Sequence, residues 1–180
     1  MTVRSYPEAE HQTRVDLAAC YRLVALYGMT DMIYNHITAR LPGAEDVFLI
    51  NRYGLHYTEI TASNLLKVDL QGNIIDKPAD CAYGISRAGY VIHSAIHAAR
   101  PDVQCVIHTH TRAGLAVSAM ADGLMPLNQT ALRFYKRIGY HDFEGPALDE
   151  AEKARLVDDL GAFNSMILRN HGLIACGPTV

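Results

Sequence analysis

The chain has 180 residues, of which 49% are hydrophobic and 19% charged, the composition of one soluble globular domain. A domain of this length can bury roughly 70% of its unfolded surface, so it needs no disulfides to hold a core. Its 16 basic and 19 acidic residues give a net charge of −3, which argues against general binding to nucleic acid or to an anionic membrane surface.

The sequence carries no signal for export or membrane insertion. It lacks a run of about 18 apolar residues, and its first ten residues lack the basic, apolar and small-residue order of a signal peptide. The cysteines are far apart, and Cys105 lies in an apolar run typical of a small buried hydrophobe. We therefore expect a cytoplasmic protein with neither a disulfide framework nor a zinc ribbon.

The first half of the chain predicts one helix and then several short strands. Residues 8–27 show a helical period, and the apolar face that we predict for this helix consists of Val15, Ala19, Leu23 and Leu26. Four β-rich segments separated by turn residues follow, at residues 37–41, 47–50, 55–58 and 68–70. Short strands joined by tight turns usually pair antiparallel.

The second half alternates helices with buried strands. A helical period over residues 87–100 ends at Pro101, and an apolar strand is predicted at residues 103–110. A charged helix at residues 149–160 then precedes two strands, 165–169 and 173–176, joined by a turn. This order predicts a mostly antiparallel sheet covered by helices. Because we find no repeat or linker, we expect a single domain over residues 1–180.

Three histidines have the placement of metal ligands. His108 and His110 lie two residues apart at the end of a predicted strand, so they share a face, with Cα atoms roughly 6 to 7 Å apart. His171 lies in the turn between two strands and can point to the same place. Three histidines with an open fourth position are typical of a catalytic metal site. From the spacing alone, a hydrogen-bonded surface pair remains the alternative.

The amino-acid sequence around these histidines resembles the class II aldolase/adducin family, and the resemblance covers nearly the whole chain, from about residue 10. The segments that carry the resemblance are RPDV at 100–103, CVIHTHT at 105–111, AVSAM at 116–120 and LRNHG at 168–172. Three further segments are similar to adducin head domains: NHITAR at 35–40, HSAIH at 93–97 and YHDFEG at 140–145.

The resemblance implies a three-layer α/β/α fold around a mostly antiparallel sheet, commonly assembled as a homotetramer. It implies that His108, His110 and His171 hold a divalent metal ion, most often Zn²⁺, with Mn²⁺ and Fe²⁺ as alternatives. Such an ion acts as a Lewis acid on a substrate oxygen. Relatives continue past the point matching Val180, so the chain is either a shortened member or lacks a C-terminal tail.

Two departures from the family pattern concern the substrate. Gly89 stands where the sugar-phosphate aldolases of the family carry an acidic residue, and Arg87 and Ala88 replace their phosphate-binding serines. Their other phosphate-binding loop begins with Gly-Asn, whereas this chain has Asn35 and His36. We therefore expect a small anionic substrate other than a classical sugar phosphate.

Three side chains are candidates to replace the missing groups. Arg87 suits a carboxylate, His36 can help to bind the substrate, and His93 is a candidate proton shuttle. The alternative for His93 is a helix residue hydrogen-bonded to backbone or water, and we favour this interpretation for His97. We expect Tyr140, His141 and Asp142, at residues 140–142, to form a solvated loop or a subunit contact.

The sequence thus predicts a metal-dependent lyase that cleaves a carbon–carbon bond, by aldol cleavage or decarboxylation, in a small anionic hydroxy or keto substrate. The alternative is a non-catalytic, adducin-like oligomerising module, because adducin heads are assembly modules without known turnover. Iron-dependent oxidation is a weaker third hypothesis, since a three-histidine set permits it without indicating it.

Overall fold

The computed structural model describes residues 5–145 and 149–180. This part of the chain contains the helices predicted near 8–27, 87–100 and 149–160 and most of the predicted strands, together with short elements that the sequence did not predict. The helices are α1 (Glu8–Leu26), α2 (Arg87–Ala99), α3 (Arg112–Ser118), α4 (Gln129–Leu132) and α5 (Glu152–Leu160). The strands are β1 (His36–Leu41), β2 (Ala44–Ile50), β3 (Leu66–Asp69), β4 (Ile74–Asp76), β5 (Cys105–Thr109), β6 (Gly139–His141), β7 (Ser165–Leu168) and β8 (Gly172–Gly177).

The strands form one eight-stranded sheet in the order β4-β3-β2-β1-β5-β8-β7-β6. All neighbouring pairs are antiparallel except β6 and β7, which confirms the mostly antiparallel sheet. β5 lies at the centre, between β1 and β8. Its register places His108 opposite His36 on one side and opposite Ile174 on the other.

Helices cover both faces of this sheet, which confirms the three-layer α/β/α prediction. Because side chains alternate along a strand, Cys105 and Val106 of β5 belong to different cores. Cys105 packs in the cluster beneath Tyr21 of α1, whereas Val106 packs with Ile92 of α2 and Leu156 of α5. None of the helices among the described residues is long and apolar enough to cross a membrane.

Helix α1 exists as predicted, but it buries a different face. Val15, Leu23 and Leu26 are 40%, 51% and 76% exposed, whereas the face that meets the sheet carries Arg14. The Arg14 guanidinium is fully buried, where it donates to Glu10 at 2.9 Å and to the Leu65 carbonyl at 3.0 Å. A buried ion pair interrupts the apolar pattern, so hydrophobic spacing alone selects the wrong face.

Two further predictions are wrong. Residues 55–58 do not form a strand, since Tyr57–Glu59 is a 3-10 turn held by a 2.8 Å hydrogen bond from the His56 backbone N–H to the Glu59 carboxylate. Residues 140–142 are not all a solvated loop. His141 belongs to β6 and is 3% exposed, with Asp159 at 2.8 Å from Nδ1 and Glu152 at 3.3 Å from Nε2.

Candidate metal centre

Two adjacent strands and one turn bring the three predicted histidines together. His108 lies on β5 and His110 follows the strand directly, so their side chains share a face and their Nε2 atoms are 3.0 Å apart. His171 precedes β8, and the pairing of β8 with β5 places its ring 4.8 Å from the His108 ring. One ring nitrogen of each histidine lies within 4.8 Å of the others, so the three could hold one ion.

The outer hydrogen bonds of two of these rings leave the inner nitrogens free. His108 Nδ1 lies 3.0 Å from the Leu173 carbonyl, and His110 Nδ1 lies 3.0 Å from the Asp31 carboxylate. Both partners are acceptors, so each Nδ1 carries a proton, and in the neutral form of the rings each Nε2 has a free lone pair. Two lone pairs 3.0 Å apart repel unless a cation lies between them. The donor set therefore fits a divalent metal, with the outer partners that ligating histidines usually have.

Burial keeps two of these imidazoles, those of His108 and His171, in the form that binds metal. Desolvation lowers the pKa of His108 well below its ordinary value, and the positive forms of the neighbouring histidines would lower it further. Burial likewise lowers the pKa of His171 to about 4, with His110 as a smaller cause. Because ligand nitrogens must be deprotonated, both rings are ready to bind at neutral pH.

A small cavity of about 100 Å³ opens beside the three histidines. Its wall also includes His36 and the aromatic rings of Tyr34 and Tyr53. Helix α2 begins there, with Ser86 as the N-cap and Ala88 in the wall. The lining residues include neither Lys nor Arg, so the positive end of α2 and a bound cation are the groups that would attract an anion.

Behind this wall, four buried side chains form a line of hydrogen bonds. His36 Nδ1 lies 3.1 Å from His93 Nε2, and His93 Nδ1 lies 2.7 Å from the Thr38 hydroxyl. The same hydroxyl lies 2.8 Å from His97 Nε2. The His36 ring also stacks on His108, with 5.1 Å between ring centroids. His36 is thus the member of this line that reaches the cavity.

The space beside His36 explains the glycine at position 89. A Cβ atom added to Gly89 would lie 2.5 Å from His36 Cδ2 and 2.7 Å from His36 Cγ. His36 itself is held between His93 and His108 and cannot turn away freely. The imidazole of His36 therefore excludes any side chain at position 89, including an acidic one.

The other two predicted site residues lie differently from what we expected. His93 is fully buried and touches the cavity only through His36, so a direct exchange of protons between His93 and substrate has no support. Arg87 is exposed and its guanidinium lies 3.7 Å from Glu150. Arg87 does not line the cavity, so its proposed contact with substrate has no support either.

Comparison with known protein families indicates the same family as the sequence segments around the three histidines. The sequence model for the class II aldolase and adducin N-terminal domain matches residues 15–180. The chain belongs to this family. Its relatives include a Pseudomonas aeruginosa protein whose name places it provisionally among the class 2 aldolases, 58% identical over 96% of this chain and 65% of that protein. Rat alpha-adducin is 47% identical over 98% of this chain and 24% of its own length.

Solved structures show the same fold. An aldolase II superfamily protein from Pseudomonas syringae is 56% identical, with a TM-score of 0.93 over 97% of this chain and 69% of that one. An L-fuculose 1-phosphate aldolase from Glaciozyma antarctica is 28% identical, with a TM-score of 0.83 over 99% of this chain and 70% of that one. This chain spans just under two thirds of the length of the bacterial relative described above.

Sequence reasoning missed the residues that support the site from outside. Asp31 is 79 positions away from its partner His110 in the sequence. Thr38, which contacts His93, lies in a strand whose sequence is typical of any buried strand. The Leu173 contact uses a backbone carbonyl, for which no side-chain motif exists. Strand β1 is fully buried and contains three polar residues, His36, Thr38 and Arg40, so a buried polar position does not single out Thr38.

Proposed function

We propose that this chain is a metal-dependent lyase domain that cleaves a carbon–carbon bond of a small anionic hydroxy or keto substrate. The pair of free Nε2 atoms on His108 and His110, 3.0 Å apart beside a cavity, is the observation that carries the proposal. The family relationship supports a lyase in general. The substrate and the reaction are our inference.

His108, His110 and His171 would hold the metal, which we expect to be Zn²⁺, with Mn²⁺ or Fe²⁺ as alternatives. When bound, the ion supplies a Lewis acid that stabilises negative charge on a substrate oxygen. The protein's own groups bind and orient the substrate. His36 and the start of α2 face the cavity and offer hydrogen bonds and a positive dipole to an anion.

Decarboxylation fits this site better than aldol cleavage of a sugar phosphate. Both reactions leave an electron pair beside a carbonyl, but decarboxylation requires less proton transfer before the bond breaks. The site offers little for that transfer, since Gly89 provides no carboxylate and His93 reaches the cavity only through His36. The wall also lacks a Lys or Arg for a phosphate.

Metal analysis followed by product assays tests the proposal. The protein, purified without chelator, is expected to hold about one divalent ion per chain, and His171→Ala is expected to lose it. His11→Ala, which changes an exposed histidine, is the matched control. The metal-loaded protein is then assayed with hydroxy-keto acids and aromatic dicarboxylates. Release of neither aldehyde nor carbon dioxide would contradict the lyase.

A non-catalytic, adducin-like module is the second candidate, and its support is the 47% identity to rat alpha-adducin. Metal content separates the two candidates, because an assembly module does not need an ion. Stoichiometric metal together with turnover favours the lyase, whereas metal-free protein that still self-associates favours the module. Oxygen uptake with ferrous iron would instead indicate oxidation.

We further propose that the chain is a single domain that forms a homo-oligomer, with a tetramer expected, and that it works in the cytoplasm. The support for self-association is the family relationship. Sedimentation velocity of the metal-loaded protein tests it, and a species of one chain mass at micromolar concentration would contradict it.

A further inference from the structure

Asn35 has a backbone conformation that glycine would adopt with less strain. It follows a tight turn, closed by a 2.9 Å hydrogen bond from the Tyr34 backbone N–H to the Asp31 carbonyl, and it directly precedes β1. Its φ angle of +79° lies in the left-handed region, which most side chains avoid. The residue is only 2% exposed, so bulk water hardly reaches its amide. The backbone alone therefore gives no reason for a buried amide at this position.

Two backbone groups fix the orientation of this amide. One end lies 3.3 Å from the His110 backbone N–H, which can only donate, and the other lies 3.3 Å from the Tyr34 carbonyl, which can only accept. Oδ1 therefore faces His110, and Nδ2 faces Tyr34. In the opposite orientation, both ends of a buried amide would face groups of their own kind.

The same oxygen lies beside the imidazole of His110. Asn35 Oδ1 is 3.2 Å from His110 Nδ1, and the Asp31 carboxylate is 3.0 Å from the same nitrogen. Both neighbours are acceptors, so they share the hydrogen on Nδ1. If the ring turned over, a carbon atom would face both oxygens. The two acceptors thus keep His110 Nε2 on the side of His108, 3.0 Å from the Nε2 of that ring.

The two acceptors differ in their access to water. The Asp31 side chain is 39% exposed, so water can replace part of its hydrogen bond, whereas the Asn35 amide is buried. Asn35 Oδ1 also accepts from the His110 backbone N–H, so it ties the ring to the main chain of the same residue. Loss of the Asn35 amide would leave the His110 backbone N–H without this acceptor.

We propose that Asn35 is a positioning residue for the metal centre. Its buried Oδ1 accepts from the backbone and from the ring of His110, and it keeps His110 Nε2 directed at the space between the three histidines. The effect on metal binding rests on the proposed function, whereas the orientation of the ring does not.

Asn35→Gly separates this role from a structural one. Glycine adopts the left-handed region without steric cost, so this variant keeps the backbone conformation and removes the amide. We expect its zinc affinity to be roughly tenfold lower than that of the parent, as is usual when a ligating histidine loses an outer partner. The expected loss lies at the low end of the usual range, because Asp31 still accepts from Nδ1. Competition with a chromophoric chelator measures it.

Lys136→Gly is the matched control. Lys136 also has a left-handed backbone, with a φ angle of +58°, but it is exposed and does not line the cavity. We expect its zinc affinity to stay within about twofold of the parent. Folded Asn35→Gly with the same zinc affinity as Lys136→Gly would overturn the proposal, whatever its stability.

Nitrogen NMR of the metal-free protein tests the orientation of the ring directly. In protein labelled with ¹⁵N-histidine, at about pH 8, we expect the neutral His110 ring to carry its proton on Nδ1. Asn35→Gly should shift the Nδ1 resonance, and Lys136→Gly should leave it unchanged. An Nε2–H ring in the parent, or an unchanged Nδ1 resonance in folded Asn35→Gly, would overturn the proposal. If Asn35→Gly does not fold, the tautomer of the parent still decides it.

These measurements use no substrate, so they separate this proposal from the lyase. A parent that binds no zinc but shows the expected NMR results would contradict the proposed function and support the role of Asn35 at the ring. Turnover by a protein whose metal-free form has an Nε2–H ring at His110 would overturn that role and leave the lyase in place.

Discussion

His110 depends on a charged partner that lies far away in the sequence. The Asp31 carboxylate accepts from His110 Nδ1 at 3.0 Å, which fixes the ring orientation and makes Nε2 a stronger donor to a metal. We predict that Asp31→Asn weakens zinc binding by roughly tenfold. Titration against a chromophoric chelator measures this.

Asp102→Asn is the matched control. Asp102 is exposed, pairs with Arg100, and precedes the start of β5, whereas the histidines lie at the end of that strand. We expect zinc affinity within about twofold of the parent for this variant, since it leaves the ligands and their outer partners in place. Equal affinities for both variants would show that the Asp31 charge has no influence on the metal.

Gly89 gives a second prediction at the residue scale. Within a helix, Ala is favoured over Gly by at most about 1 kcal/mol, and Gly89 lies in the first turn of α2, where the added Cβ would lie 2.5 Å from His36 Cδ2. We predict that the overlap outweighs helix propensity and that Gly89→Ala lowers the free energy of unfolding by about 1–3 kcal/mol. Urea denaturation measures it.

The comparison variant is Gly177→Ala, where a Cβ meets nothing within 4 Å, and we expect no loss of stability there. A Gly89→Ala protein more stable than the parent would mean that propensity dominates and that His36 moves without cost.

At this scale the sequence predicted the histidine cluster better than the residues that contact it from outside. His108 and His110 follow from alternation along one strand, and His171 from its turn and the family resemblance. Asp31 and Thr38 carry no local signal, because their roles depend on which strands become neighbours. Arg87 shows the limit of reading charge alone: its charge suggested a substrate contact, whereas its guanidinium lies 3.7 Å from Glu150 at the surface.

Among the elements, the short edge strand β6 is held by a polar cluster in which His141 and Glu152 are buried and the Asp159 side chain is 43% exposed. His141 lies between Asp159 and Glu152, and Glu152 is 5% exposed. His141→Phe would leave the Glu152 carboxylate buried without this partner. We predict a loss of about 3 kcal/mol in the free energy of unfolding, measured by urea denaturation.

Asp142→Asn changes the next residue, whose side chain is 91% exposed, and serves as the control. We expect this variant to stay within about 0.5 kcal/mol of the parent. A similarly small effect of His141→Phe would mean that water replaces the lost contacts and that the cluster is not important for β6.

Element length and composition decided which elements the sequence could predict. The helices at 8–26, 87–99 and 152–160 carry several turns of periodic apolar residues, so their existence was clear. β4 and β6 have three residues each, too few for an alternating pattern. The face of α1 was wrong because Arg14 is buried through hydrogen bonds that no hydrophobic scale anticipates.

Across the whole molecule, buried neutral histidines make stability depend on pH. The pKa of His97 is about 3 in the folded protein against 6.5 for an ordinary histidine, so the unfolded chain takes up a proton first on acidification. The stabilisation is complete above about pH 6.5. Below that pH, this group lowers the free energy of unfolding by up to about 1.4 kcal/mol per pH unit, until the pH reaches the folded pKa.

We therefore predict that the free energy of unfolding of the metal-free protein falls from pH 6.5 to 4.5. His97→Phe removes one titrating group, so it should reduce this slope by up to about 1.4 kcal/mol per pH unit. Phe can keep the ring stacking on Phe48, whose centroid lies 5.0 Å from that of His97. The exposed His11→Gln should leave the slope unchanged. A slope unaffected by His97→Phe would contradict the prediction.

The position of β8 would link the proposed ion binding to closure of the sheet. This strand alone joins β7 and β6 to the rest of the sheet, and it also brings His171 and the Leu173 carbonyl to His108. Before β8 pairs with β5, a refolding chain has only two of the three proposed ligands in place, and the Leu173 carbonyl is not yet beside His108. A zinc-sensitive dye should therefore report tight zinc uptake only when β8 has paired with β5 during refolding.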